Sequence, residues 1–378
     1  MKLIRFLPMA LTAAIAAVGF IPTPIFAQES SPPTVIARGL EGPRGLTFGP
    51  NGELYVAEAG LGGKRSTAGM CTQVPTPPGP YTGGLTARIS KISGGKRTTA
   101  ASGFPSTISA GGTIGVADVT FLNGKFYALV AGGGCSHGNP DNPSGIAEVD
   151  LSTGKWTMIA DIGAWLKTHP TAYESADDFE PDGTLYSMIA GDGRLYAVEP
   201  NHGQVLSVTP DGTIKQVIDI SASEGHIVPT SIAERRGIFY VGNLNLFPID
   251  PQWARILTIS KEQAFDEDVA PGFEQDYVGP HIVDSKAGFT TVVAVKFGPQ
   301  DGLLYVLELS DAAGPGPTPG TGKVVRVLRN AQIEEVITGL VVPTGMTFGP
   351  EGRLYISNFG AAGGSAGQIL RYDITPGL

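Results

Sequence analysis

Three carboxylates and three amides recur at one register of a repeating chain: Glu58, Glu199 and Glu308, with Asn243, Asn358 and, two residues past Glu199, Asn201. An all-oxygen set of this kind suits a hard cation such as calcium, or an organic ligand bearing several hydrogen-bond donors. Glu58, Glu199, Asn243 and Glu308 are the expected metal ligands. The competing use is structural, because Asn and Glu at strand ends satisfy free backbone groups. Arg44 precedes the same register and can grip a carboxylate or phosphate as a bidentate fork. It can equally neutralise Glu58 or Glu308. His202 and His226 are acid–base candidates, and neither has a partner at an informative spacing. His137, close to Cys135, would serve a metal only if Cys71 were free, while His169 and His281 stand in loops without context. The ligand-binding candidates are therefore Arg44, Glu58, Glu199, Asn201, His202, Asn243, Glu308 and Asn358. No His-Glu-x-x-His or phosphate loop occurs. The Asp182-Gly183-Thr184 and Asp211-Gly212-Thr213 fragments fit turns better than ion loops.

The elements that must position these residues are read from a phrase near both ends. Gly42-Pro43-Arg44-Gly45-Leu46-Thr47-Phe48-Gly49-Pro50-Asn51-Gly52-Glu53-Leu54-Tyr55-Val56 returns, little changed, at Pro343 to Ile356. Leu/Phe-Tyr pairs mark weaker copies at Phe126-Tyr127, Leu195-Tyr196, Phe239-Tyr240 and Leu304-Tyr305. Each follows a glycine turn between two alternating runs, which is a β-hairpin. Second hairpins follow several of them, so the unit is four antiparallel strands, a to d, the blade of a propeller. The chain is expected to be an all-β, six-bladed β-propeller of four-stranded antiparallel blades. The last repeat stops after strand c at Tyr372. Thr34 to Leu40 precedes the first hairpin as Glu334 to Leu340 precedes the last, so the N-terminal strand is expected to complete blade six and hide an edge. Strand d of blade four is expected within 266–278. Long b–c loops in blades one, two, five and six share one rim with the d–a connections, which places function there. Ile162 to Lys167 reads as a helical turn or two, with Trp165 as a lid or a packing plug.

Lys2 and Arg5 ahead of an apolar run that ends near Ala27 read as a secretory signal peptide over 1–27, followed by a short linker over 28–33 and one propeller domain over 34–378. No later segment reaches transmembrane length. The 53 glycines and 30 prolines beside 42% hydrophobic residues suit short strands and tight turns, not disorder. A net charge of -9 argues against nucleic-acid binding. Cys71 and Cys135, the only cysteines, fall in equivalent loops of adjacent blades and are expected to form a disulfide in a secreted or periplasmic monomer.

The repeated phrase, the run from Gly193 to Val205 and the Thr321-Gly322-Lys323-Val324-Val325-Arg326 type of third strand resemble the ScyD/ScyE family of exported proteins, with NHL-like propellers as wider relatives. That resemblance implies an exported propeller but carries no settled catalytic residues. Gluconolactonase-type propellers use Glu, Asn and Asp around a divalent metal, and Glu58, Asn201 and Asn243 resemble part of that set. The leading expectation is a propeller that binds a small molecule or a protein at its loop-bearing rim. The alternatives are a divalent-metal-assisted hydrolase, lactonase or lyase in the central channel, and a structural cell-surface protein.

Overall fold

The computed structural model describes residues 32–261, 264–265 and 277–377. The signal-peptide expectation and most of 266–278 lie outside these residues. The chain opens with β1 (Thr34–Leu40). Blade one follows with β2 (Pro43–Phe48), β3 (Leu54–Glu58), β4 (Thr82–Ser93), β5 (Lys96–Ser109) and the short β6 (Gly112–Ile114). Blade two is β7 (Val116–Leu122), β8 (Lys125–Val130), β9 (Gly145–Asp150) and β10 (Lys155–Asp161), and α1 (Ile162–Leu166) follows it. Blade three is β11 (Ser187–Gly191), β12 (Arg194–Glu199), β13 (Gln204–Val208) and β14 (Ile214–Asp219), with α2 (Ser221–Glu224) after it. Blade four is β15 (Pro229–Arg235), β16 (Ile238–Asn243), β17 (Ala254–Ser260) and, past the small ribbon β18 (Ala264–Phe265) and β19 (Tyr277–Val278), β20 (His281–Phe289). Blade five is β21 (Val292–Phe297), β22 (Leu304–Glu308), β23 (Gly322–Val327) and β24 (Ile333–Leu340); blade six is β25 (Gly345–Phe348), β26 (Leu354–Asn358) and β27 (Gly367–Tyr372).

The ring closes as the two copies of the phrase imply. β1 pairs antiparallel with β27, from Thr34 opposite Arg371 to Leu40 opposite Gly367, and completes blade six. Thr344 Oγ1 donates to the Pro43 carbonyl at 2.5 Å and Ser357 Oγ to that of Arg44 at 2.6 Å, so the seam is also sealed at the inner strands.

The repeated Tyr has a structural task. Tyr55 meets Phe121, Tyr196 meets Phe239, Tyr240 meets Phe297, Tyr305 meets Phe348 and Tyr355 meets Phe48, with centroids 4.8 to 5.7 Å apart and steep ring angles. Each pair bridges adjacent blades, and edge-to-face contact adds about 0.5–1.5 kcal/mol beyond the buried area. Between blades two and three Tyr127 makes no such pair among the described residues, and its buried hydroxyl is unsatisfied.

Two expectations need correction. Strand d of blade four is His281–Phe289, not 266–278. An outermost strand facing solvent on most positions has no need of the apolar alternation that reveals inner strands. The other correction concerns loops. Blade four also carries a rim loop, 244–253, and in blade one β4 and β5 stay paired beyond the end of β3, from Gly84 opposite Ser106 to Thr82 opposite Ile108, as a ribbon past the rim. Cys71 and Cys135 form the expected disulfide between neighbouring rim loops, with Cα atoms 6.3 Å apart.

Candidate functional site

Four of the five oxygen-bearing residues at the ends of the b strands make the same bond. Glu58 Oε2 accepts from Glu41 N at 2.6 Å, Glu199 Oε1 from Thr184 N at 2.7 Å and Asn358 Oδ1 from Val341 N at 2.8 Å, while the Glu308 carboxylate takes the Thr290 backbone N–H. Asn243 donates to the Ile227 carbonyl at 2.9 Å and accepts from Arg255 N at 2.8 Å. Glu41, Thr184, Ile227, Thr290 and Val341 all lie just before a blade's innermost strand, so these side chains staple the d–a connection to strand b. Buried backbone groups at strand ends require such partners. Glu58, Glu199, Asn243 and Glu308 thereby serve four different blades. Among the described residues no three His, Cys, Asp or Glu side chains are grouped to hold a metal ion.

Arg44 does not neutralise Glu58 or Glu308, as one expectation had it. Glu58 pairs with Arg88 at 3.4 Å and Glu308 with Lys323 at 4.0 Å. Burial pushes the Glu308 carboxyl up to about 7, with the Lys323 ammonium pulling the other way. Arg44 instead donates to the Thr113 carbonyl at 2.6 Å and lies over the Tyr186 ring at 5.9 Å, with no carboxylate partner among the described ion pairs.

The channel itself is pinched. Asp118, Tyr186, Ser187 and Ser231 line a throat of about 30 Å³ together with Lys296, room for one or two waters. Asp118 ties blade two to blade three by accepting from Val119 N and Met188 N, both at 2.8 Å. A Cβ on Gly45 would lie 1.9 Å from Asp118 Oδ1, so only glycine fits there. Burial pushes the Asp118 carboxyl up to about 6, and the Lys296 ammonium opposes the shift. The Ser187 and Ser231 hydroxyls have no protein partner. Substrate-sized space therefore lies at the mouths, not in the throat.

The chemistry at the loop-bearing mouth converges on the segment between blades two and three. Glu199, Asn201 and His202 hold it: the Asn201 amide bonds the backbone of both Glu180 and Asp178, and His202 Nε2 meets the Glu180 carbonyl at 3.1 Å. Three alternate acids then point to three partners. Asp182 accepts from Ser136 N at 2.7 Å and Ser136 Oγ at 2.6 Å. Glu180 Oε2 meets His137 Nε2 at 3.1 Å, with His137 Nδ1 at 2.6 Å from the Gly133 carbonyl. Asp178 Oδ2 meets His226 Nε2 at 3.0 Å. His137 is thus no metal ligand, since Cys71 is not free. Tyr81 packs edge-on to His137, and its buried phenol is pushed far above the usual value, first by burial and then by Glu180. Trp165 stacks on His169 at 4.0 Å and packs against the core between blades two and three, the plug of the two expected roles.

His226 was an isolated candidate in the sequence, and the structure supplies its partner 48 residues away. Its side chain is 3% exposed, and Nδ1 has no hydrogen-bond partner. With Nε2–H committed to the carboxylate, Nδ1 carries the lone pair; the tautomer is assigned from this bonding. His226 lines a cleft of about 530 Å³ with Leu244, Leu246, Phe247, Pro248 and Trp253 among its walls. The signal available in sequence was the alternation Asp178, Glu180, Asp182 inside a loop, where no strand calls for period two.

No known family model matches the chain, and no curated protein matches its sequence. Solved structures share its architecture at low identity. A Thermus thermophilus protein provisionally called an oxidoreductase (glucose dehydrogenase) is 14% identical over 90% of this chain and 99% of its own, with a TM-score of 0.54. The PQQ-bound aldose sugar dehydrogenase of Streptomyces coelicolor is 13% identical over 90% and 97%, with a TM-score of 0.52. A Bacteroides thetaiotaomicron protein of unknown function is 11% identical over 91% and 72%, with a TM-score of 0.50. Among the described residues no helix is long and apolar enough to cross a membrane. These likenesses extend to the fold alone: the chain is a six-bladed β-propeller closed by its N-terminal strand.

Proposed function

We propose that the protein is an enzyme that acts by general-base catalysis on a small organic molecule at the loop-bearing mouth of its ring. The observation that carries this reading is the Asp178–His226 pair, with Nδ1 unspent, beside an open cleft. A water at Nδ1 would give up its proton as its oxygen attacks an acyl carbon, and the imidazolium so formed is stabilised by the Asp178 carboxylate; collapse of the adduct would break the acyl–oxygen bond, and the leaving alkoxide would take that proton back from Nδ1. The same nitrogen can remove a proton from carbon beside a carbonyl, so lactone or ester hydrolysis and lyase-type elimination are the two reactions that fit. Arg44, with no carboxylate partner among the described ion pairs, suits an oxyanion that develops on a neutral substrate. Because Glu58, Glu199, Asn243 and Glu308 each bond backbone in a different blade, the base and not a cation-bound water is assigned the proton-taking step.

The test is turnover of a panel of lactones and aryl esters by the wild type and by His226→Gln. The variant is expected to lose ~10²–10⁴-fold in kcat, with its melting temperature kept. Equal rates would overturn the reading. A binding role at the same rim is the second reading. It is favoured by the exposure of Leu61, Met70, Leu85, Tyr173, Leu246, Phe247 and Trp253 on rim segments, against Val283 alone elsewhere among the described residues. Ligand binding without turnover in either form would select it. The protein is further proposed to be an exported monomer of the ScyD/ScyE kind, a reading supported by its disulfide, which persists in oxidising compartments. A mature protein that begins near Gln28 and runs as one copy in solution is the expected outcome.

A further inference from the structure

We infer that the cleft between the rim loops of blades four and five binds a neutral aromatic ring bearing one hydrogen-bond donor. This names the substrate class of the proposed enzyme and rests on that reading for His226 alone. The walls are apolar and already formed. Trp253 is 67% exposed, Phe247 48% and Leu246 42%, on one ten-residue loop that offers flat faces to solvent. That loop is anchored at both flanks. Leu244 N donates to the Val228 carbonyl at 2.8 Å and Asn245 N to that of Ile227 at 3.0 Å. Ile249 and Gly314 exchange backbone bonds of 2.6 and 3.3 Å across the cleft. A wall held this way loses little entropy when a ligand enters.

The polar inventory selects the ligand. Thr291 Oγ1 donates to the Ser310 carbonyl and accepts from Ser310 N, Thr290 Oγ1 accepts from Gln252 N, and Asn245 Oδ1 accepts from Asn243. A sugar needs many free donors and acceptors, and these atoms are already engaged. Among the buried polar atoms of the described lining, the one that remains without a partner is His226 Nδ1, an acceptor, with the carboxylate of Asp250 at the edge. One acceptor calls for one donor on the ligand, and Asp250 and Asp178 disfavour an anion. About 530 Å³ lies within the range of small-molecule sites and holds a fused two-ring compound.

Titration calorimetry with 2-naphthol tests the proposal without needing turnover. Wild type is expected to bind it, and 2-methoxynaphthalene, which lacks the donor, at least fivefold more weakly. Trp253→Ala and Phe247→Ala remove exposed side chains and leave the fold; each is expected to weaken naphthol tenfold or more. Asp178→Asn is expected to keep naphthol binding within threefold while turnover falls, so loss of catalysis and loss of the ring site are read separately. No heat with 2-naphthol, tighter binding of methyl glucoside or of naphthalene-2-sulfonate, or unchanged binding by Trp253→Ala would each overturn the assignment.

Discussion

Two histidine–carboxylate pairs hang from one segment of the rim and do different things. His137 is fully enclosed, and both of its nitrogens are used, one by Glu180 and the other by the Gly133 carbonyl. Burial alone would push its imidazole down, but the bond to Glu180 and its charge outweigh that and hold it above its ordinary value. Burial likewise pushes the Glu180 carboxyl above its ordinary value, while His137 pulls it back. That pair is a strut between blades. His226 keeps one nitrogen unspent, and its Asp178 is 24% exposed at an open cleft. A carboxylate pairing alone therefore does not mark a candidate base; the pairing together with an unspent nitrogen does.

The largest effect expected from this contrast is on rate. Asp178→Asn should cut turnover of the responsive substrate by ~10²-fold or more, because the imidazolium loses its counter-charge. Its unfolding free energy in urea should stay within about 0.5 kcal/mol of wild type. A drop in stability with unchanged rate would reverse the two roles. His137→Leu should do the opposite. It strands the Glu180 carboxylate without a partner, which costs about 3–5 kcal/mol in denaturant titration.

The disulfide sharpens the strut's side of the comparison. Thr67 bonds the Cys135 carbonyl and Tyr81 packs on His137, so the cross-link and the strut brace the same two loops. Removing it as Cys71→Ala with Cys135→Ala is expected to lower stability by about 2–4 kcal/mol for a 64-residue separation, and to leave the His226 dyad in place. Equal melting of oxidised and reduced protein would contradict this. The smallest effect is on pH dependence. His137 binds its proton more tightly in the folded protein than its ordinary 6.5, so its contribution is full below pH 6.5 and is lost as the pH climbs through the raised value. The melting advantage of wild type over His137→Leu should shrink accordingly as the pH is raised from about 6.5 to about 8.5. An advantage that grows over that range would show the pair to be neutral.

Much of the ring was legible in the chain because blades are local. Turn glycines such as Gly52 and Gly352, apolar alternation and the repeated Leu-Tyr pair need only near neighbours to be read, and Tyr55 or Tyr355 then finds its phenylalanine in the next blade. The end-of-b residues were also visible, and the structural of their two uses is the one the hydrogen bonds display. Strand d of blade four was misplaced because a solvent-facing edge strand carries little pattern. The loop at 244–253 was overlooked because its value lies in what surrounds it.

By itself the sequence determined six hairpins, the strand exchange that shuts the ring, and the cysteine pair on one rim. These follow from periodicity and from the need of each blade to bury two faces. Only the tertiary structure decided that Asp178 meets His226, that Glu180 takes His137, and that Arg44 has no acid partner among the described residues. Those contacts join loops from different blades, and their separation along the chain is unrelated to their separation in space. Ring closure brings the loops of neighbouring blades side by side, and bonds such as those of Asn201 and the Cys71–Cys135 disulfide hold them there.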